Sequence, residues 1–252
     1  MDRRERLEEE FELGEEEEAI HEYEALTDDY LHINASLIAE EIAQLVHAIN
    51  GVVVDLGTGP GSLARAVAAR CPALVVVGLD ISLPMTRLAR DRIAAEGIPN
   101  VAFVVADVHH LPFRTSSLAV IISHGAMHHW RSLAQALAEI KRALATKGLL
   151  YLSDLTRTAP DDVVQHIAAL LNPKQARAFV NSIQAAYTIE ELARLTAEAG
   201  LDTVRVEAEE FSRRTIARNI EKLRRSAMRG LRQPVINIRI ISAGTTPSAK
   251  AV

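Results

Sequence analysis

VVVDLGTGPGSLA, residues Val52 to Ala64, is the stretch that decides how the rest of the chain is read. Three β-branched residues, Val52, Val53 and Val54, have the pattern of a strand buried on both faces. The run ends in Asp55, passes through Leu56, Gly57, Thr58, Gly59 and Gly61, and enters an Ala-rich helical pattern. Strand, glycine turn and helix start together let a nucleotide-like ligand approach the backbone closely. Gly57 and Gly59 permit positive φ and carry no Cβ to block that approach. Asp55 at the strand end repels phosphate and suits a cationic amine. The spacing is G-x-G-x-G, not the G-x-G-x-x-G of dinucleotide sites. A tight turn with no ligand is the competing reading, and the remaining chain argues against it.

Outward from this stretch the chain alternates strand and helix. Upstream, Leu37, Ile38, Ile42, Leu45, Val46 and Ile49 recur at helical spacing, with Ser36 as a candidate cap and Gly51 as a terminator. Downstream, a helix over 62–70 stops at Pro72, and a strand over 74–79 ends in Asp80. A helix opened by Ser82 and Pro84 closes at Gly97, and a strand over 101–105 ends in Ala106 and Asp107. A strand over 118–123 runs into HGAMHHW. A helix over 132–145 stops near Gly148, and a strand over 149–153 ends in Asp154. Five apolar strands alternating with helices predict an α/β fold whose parallel sheet is covered on both faces. Ligands of such sheets sit beyond the carboxyl ends of the strands. Asp55, Asp80, Asp107, Ser123 and Asp154 all fall on that rim.

The ends read differently. Residues 1–35 are an acidic segment, with EEE at 8–10 and EEEE at 15–18. Leu7, Phe11, Ile20, Tyr23 and Tyr30 are enough apolar anchors for part of it to dock as a lid. Residues 36–242 make the main domain. Within it, 156–188 reads as a helical insertion, also a lid, broken at Pro173. A helix over 189–199, a strand near 201–210, a helix near 215–231 and a strand near 235–241 follow, and 243–252 reads as disordered.

With 252 residues the chain can bury one large core. No run approaches eighteen apolar residues, so no membrane span is expected, and MDRRERLEEE lacks an apolar leader. The single cysteine, Cys71, cannot form an internal disulfide. These features point to the cytoplasm. A net charge of −5 argues against general nucleic-acid affinity.

The rim acids suggest a ligand. Asp80 can accept from two ribose hydroxyls, Asp107 from an exocyclic amine such as adenine's, and Asp55 from an ammonium group. Ribose, adenine and an amino-acid amine describe S-adenosylmethionine better than a dinucleotide. Four motifs, VVVDLGTGPG (52–61), VVVGLDISLPM (75–85), VVADVHHLPF (104–113) and SHGAMHHW (123–130), stand in order over about residues 36–155. On these the sequence resembles the class I S-adenosylmethionine-dependent methyltransferases, in particular the small-molecule branch that includes the ubiquinone and menaquinone methyltransferases.

The resemblance implies a Rossmann-like seven-stranded sheet of order 3-2-1-4-5-7-6 with the seventh strand antiparallel. It implies that Asp55, Leu56, Gly57, Thr58, Gly59 and Gly61 hold the methionine part of S-adenosylmethionine, and that S-adenosylhomocysteine is the product. Asp80 would hold the ribose, Ile81 and Met85 would pack on the adenine, and Ala106, Asp107 and Val108 would meet its edge. Ser123 and His124 would line the path to the sulfonium. The acceptor would be a small molecule lined by His128, Asp154, Tyr23 and Tyr30, and the chain could act as a homodimer. Where relatives often have Phe-Asp before the fourth strand, this chain has Leu118-Ala119.

Methyl transfer needs alignment and a dry pocket, and a base only if the acceptor loses a proton. Five of the nine histidines, His109, His110, His124, His128 and His129, fall in two rim loops. They read as local hydrogen bonders, as a base with His124 preferred, or as a metal site; no metal is expected. Arg214, Arg218, Lys222, Arg225, Arg229 and Arg232 lay a basic stripe along a predicted helix, read as a solvated face facing the acidic N-terminus. Two alternatives remain: a protein that binds S-adenosylmethionine without turnover, and an RNA methyltransferase using that stripe.

Overall fold

The computed structural model describes residues 6–7, 35–46, 49, 51–169, 171–208 and 237–242. Seven strands, β1 (Val52–Leu56), β2 (Val75–Asp80), β3 (Val101–Val105), β4 (Leu118–His124), β5 (Leu144–Leu155), β6 (Val204–Ala208) and β7 (Asn237–Ser242), form one sheet. Its order is β3-β2-β1-β4-β5-β7-β6, as the resemblance implied. β1 to β5 pair in parallel, and β7 runs antiparallel to both β5 and β6.

Strand composition explains why helices cover both faces. Val53, Val120, Ile122 and Tyr151 point into one core, Val54, Ile121, Leu150 and Leu152 into the other, and all are fully buried. The first core is closed by α1 (35–45), α2 (Ser62–Arg70) and α3 (Leu83–Glu96), through residues such as Ile38, Ile42, Val67 and Ala89. The second is closed by α4 (Leu133–Ala143) and α7 (Ile189–Glu198), through Leu137, Ile140 and Leu192. α5 (Asp161–Ala168) and α6 (Pro173–Ala185) form the insertion, with a small core of their own around Val163, Val164 and Ile183.

Local chemistry sets most boundaries. Ser82 caps α3 by accepting from Met85 N, and Gly97 ends it at φ 66°. Asn172 with Gln175, and Thr188 with Glu191, form capping boxes for α6 and α7. Two expectations need correction. Ser36 is not a cap: it lies within α1, and its hydroxyl accepts from Arg70 Nη2 at 2.7 Å, tying α1 to α2. β5 does not start at Leu149. It begins at Leu144, which pairs with Leu118 ahead of a register shift between Leu118 and Val120. Gly148 is accommodated inside the strand because a Cβ there would meet the Leu144 side chain at 2.6 Å.

Across from Ser153 near the end of β5, one guanidinium joins three elements. Arg239 on β7 bonds Glu41 of α1 at 2.5 Å and Glu207 of β6 at 2.7 Å, while the Tyr151 hydroxyl donates to Glu41 at 3.1 Å. The basic stripe at 214–232, Tyr23 and Tyr30 lie outside the described residues. Among those described, no helix is long and apolar enough to cross a membrane.

Candidate active site

The glycine turn is held by its neighbours on both sides. Gly57 N and Thr58 N donate to Leu79 O at 2.8 and 3.0 Å, which ties the turn to the end of β2. Gly57 and Gly61 have φ of 66° and 80°. A Cβ on Gly57 would lie 2.6 Å from Ala126 Cβ, and one on Gly61 2.6 Å from the Phe103 ring. Packing excludes a side chain at both. Gly59, at φ 52°, is different, because nothing lies within 4 Å of its Cβ position. Its bare backbone faces open space over the cleft.

Two acids stand beneath that cleft. Asp55 is 1% exposed and accepts from Thr58 Oγ1 at 2.7 Å. Burial pushes its carboxyl up to about 7, against the Thr58 bond that lowers it. Asp80 accepts from Gly59 N at 2.7 Å and Ser82 N at 2.9 Å, so it braces the glycine turn and the start of α3 together. Burial raises it too, although these bonds and nearby His129 oppose the rise. The cleft is lined by Asp55, Gly57, Thr58, Gly59, Ser62 and His124, with Ala35 of α1 at its edge. The buried Ser62 hydroxyl has no partner among the described residues.

The third rim acid is more occupied. Asp107 accepts from His109 N at 2.9 Å and Arg131 Nη2 at 2.9 Å, and pairs with His109 Nδ1 at 2.5 Å. Burial would raise its carboxyl, but these partners outweigh it and hold it below the usual range. Because Ser132 N donates to His109 Nε2, the Nδ1 of a neutral ring must carry the proton shared with Asp107. His109 thus connects Asp107 to the start of α4. Ile81 is 57% exposed beside Asp80, whereas Met85 and Val108 are buried. Ala106 N donates to Asp80 O at 2.9 Å.

β4 and β5 end in a second cluster. The Ser123 hydroxyl is fully buried and donates to Leu56 O at 2.7 Å, beneath the glycine turn. His124 reaches the cleft, with Nδ1 3.2 Å from Ser153 Oγ. Burial pulls its imidazole down to about 4, despite Asp154 nearby. His128 and Asp154 are both buried and bonded to each other, through His128 N at 2.9 Å and Nδ1 at 2.7 Å. Arg6 lies against this cluster. Arg6 donates to Ala185 O at 2.7 Å and His128 O at 3.2 Å, and lies 4.3 Å from the centre of the Tyr187 ring.

The structure therefore gathers Asp55, Gly57, Thr58, Gly59 and His124 around one cleft, with Asp80 bracing it. Ser123 and Asp154 lie beneath it, and Asp107 stands to one side with His109. Sequence reasoning missed Phe103 and Arg6, and it named His109 as a rim histidine without finding its partner, Asp107. Gly78 inside a strand was the available signal for Phe103, since such glycines mark close approach. Neither His109 nor Arg6 has a local pattern. Among the described residues, no three His, Cys, Asp or Glu side chains gather as metal ligands would.

Residues 53–148 match the family model described as a methyltransferase domain. The demethylmenaquinone methyltransferase of Thermotoga maritima is 31% identical over 117 residues, covering 46% of this chain and 49% of that one. The malonyl-[acyl-carrier protein] O-methyltransferase of Geobacter sulfurreducens is 33% identical over 135 residues, 52% of this chain and 49% of the other. The chain thus spans about half the length of these curated relatives. The plantazolicin methyltransferase BpumL, solved with a triazolic desmethylPZN analog and SAH, superposes over 90% of this chain and 91% of its own at a TM-score of 0.68 and 13% identity.

Proposed function

We propose that this chain, which belongs to the class I S-adenosylmethionine-dependent methyltransferases, moves a methyl group from S-adenosylmethionine to a small organic acceptor by in-line displacement. The observation that carries the reading is the polar set at the cleft: the buried Asp55 carboxyl, the buried Asp80 beside it, the Gly59 backbone with open space at its Cβ position, and the Ser62 hydroxyl, which has no partner among the described residues. Carboxylates repel phosphate and suit an ammonium group and ribose hydroxyls, so this set fits S-adenosylmethionine. When bound, that cofactor supplies an electrophilic methyl on a sulfonium sulfur.

The residues divide the work. Asp55, Leu56, Gly57, Thr58, Gly59 and Gly61 hold the methionine end, and Ser62 adds a donor there. Asp80 accepts from the ribose while keeping the glycine turn in place. Ile81 covers one face of the adenine with Met85 behind it, and Ala106, Asp107 and Val108 meet its edge. His124 borders the transfer path, with Ser123 supporting the turn from below. The N-terminal segment, with Tyr23 and Tyr30, and the α5–α6 insertion close over the acceptor and exclude water. The named relatives are a demethylmenaquinone methyltransferase and a malonyl-[acyl-carrier protein] O-methyltransferase, and the first of these names supports a small acceptor in this chain as well.

Calorimetry tests the cofactor. S-adenosylmethionine binds and NADH does not. Asp80→Ala weakens binding by roughly 10- to 100-fold, since lost hydrogen bonds to a charged group cost about 1.5–3 kcal/mol. Tight NADH binding, or an unchanged Asp80→Ala, overturns the assignment. Transfer of labelled methyl to a metabolite extract then tests turnover. Transfer only to RNA moves the reading to an RNA methyltransferase, and no transfer at all moves it to a binding protein.

A further inference from the structure

We propose that His109 is a positioning residue: it holds the Asp107 carboxylate for the exocyclic amine of adenine, so that a purine without that amine binds poorly. This rests on the cofactor reading given above. An ionised carboxylate accepts at about four positions, two on each oxygen. Among the described residues, three of those on Asp107 are taken. His109 fills both on Oδ1, with its backbone N–H at 2.9 Å and its ring Nδ1 at 2.5 Å. Arg131 Nη2 takes one on Oδ2 at 2.9 Å. One position on Oδ2 is left, enough for a single N–H of an amine. The Asp107 side chain is 25% exposed, so a ligand can reach it.

The two partners differ in how firmly they hold. The Arg131 side chain is 73% exposed, and an ion pair of that kind contributes little. His109 is buried and braced twice. Ser132 N donates to its ring Nε2 at 3.2 Å, and Gln135 Nε2 donates to its backbone O at 3.2 Å. Ser132 in turn caps α4 by accepting from Gln135 N. The ring therefore stands between the first turn of α4 and the carboxylate. Backbone and ring grip one oxygen together, which fixes the rotation of the carboxylate and leaves Oδ2 to read the ligand.

Placement agrees with this role. Val105 pairs with Asp80 in the β2–β3 register, and Ala106 N donates to Asp80 O at 2.9 Å. Asp107 thus follows directly on the strand pair that carries Asp80, with the exposed Ile81 on the same rim. His110 N closes the turn by donating to Asp107 O at 3.0 Å. Anchoring α4 requires only the Nε2 bond to Ser132. The Nδ1 bond serves the carboxylate, and that is the bond to test.

Calorimetry with two probes does so: S-adenosylhomocysteine, and its analogue with purine in place of adenine, which lacks only the exocyclic amine. The parent binds the first about 10- to 100-fold more tightly, as expected for one hydrogen bond to a charged acceptor. His109→Asn sets an amide N–H near the place of Nδ1, and its ratio stays within threefold of the parent. His109→Gln sets its amide near the place of Nε2 instead, and its ratio falls below threefold. His109→Leu keeps neither nitrogen and falls likewise, and it decides where His109→Gln fails to fold. A ring with only a structural role weakens both probes equally, so a parent-like ratio in His109→Gln or His109→Leu overturns the proposal. Loss of the ratio in a folded His109→Asn does the same. A parent that binds S-adenosylhomocysteine but does not discriminate overturns the proposal alone. A parent that binds neither probe overturns the cofactor reading, and this proposal with it.

Discussion

The two halves of the rim are built from different materials. At the ends of β1 and β2 the site is mostly backbone. Three glycines set its shape, and Asp80, 21 positions from Gly59, is bonded to the turn it serves. At the ends of β4 and β5 the site is mostly side chain. His128 meets Asp154 across 26 positions, and Arg6 meets Ala185 across 179. A backbone site tolerates little change because each atom is covalently tied to the next. A side-chain site can be retuned one residue at a time, which suits the half that meets the acceptor.

That contrast can be broken most sharply at glycine. Gly57→Ala forces a left-handed φ on an L residue, at about 1–2 kcal/mol, and drives a methyl into Ala126, at about 1–3 kcal/mol more. Gly125 has the same φ of 66° but nothing within 4 Å of its Cβ position. Gly125→Ala therefore loses only the backbone part. Urea unfolding of the two variants gives the difference. Equal losses show that packing on Ala126 does not constrain the turn.

A smaller effect separates the halves by pH. Asp55 holds its proton up to about 7. A cationic amine needs the ionised form, so cofactor binding below pH 7 expels a proton. Affinity for S-adenosylmethionine then rises up to about tenfold per pH unit between 5 and 7, since one pKa unit is 1.36 kcal/mol, and levels off above. The sign for stability is the reverse. The unfolded carboxyl titrates near 3.8, so over that window the native state holds the extra proton and loses stability as pH rises. Calorimetry in buffers of different ionisation heat counts the proton. Asp55→Asn abolishes the pH slope, and a slope that survives places the proton elsewhere.

The smallest effect belongs to Arg6. Arg6→Ala removes two hydrogen bonds and a ring contact, worth about 1 kcal/mol in sum at a partly exposed site. Hydrogen exchange at 127–129 and 184–187 accelerates about fivefold together, while β1 and β2 exchange as before. Acceleration at only one of the two segments means Arg6 does not join them.

What was legible in the sequence follows the same division. The rim position of Asp55, Asp80 and Asp107 was readable because each follows an apolar strand run, whereas the strand order came only from the resemblance. Ser82 and Pro84 marked α3 because capping is local. Ser36 misled, since a hydroxyl that fits a cap also fits Arg70, and only packing chooses. The start of β5 misled because Gly148 looks like a stop unless the partner strand and its register shift are known. His128, Asp154 and Arg6 carry no periodicity linking them. Their partnership exists only once the sheet has brought β4, β5 and the segment at residues 6–7 to one place.

The Phe103 ring has a consequence for inheritance. It lies where Gly61 and Gly78 would carry a Cβ, and it reaches Gly61 alongside Ala89. Four positions on the glycine turn, β2, β3 and α3 thus share one volume. None can gain an atom unless another gives one up. Drift at these sites must come in pairs, with a smaller ring arriving before or with a larger neighbour. The glycine turn is therefore not portable as a peptide: grafted onto another sheet without an aromatic on the edge strand, it would keep its sequence and lose its shape.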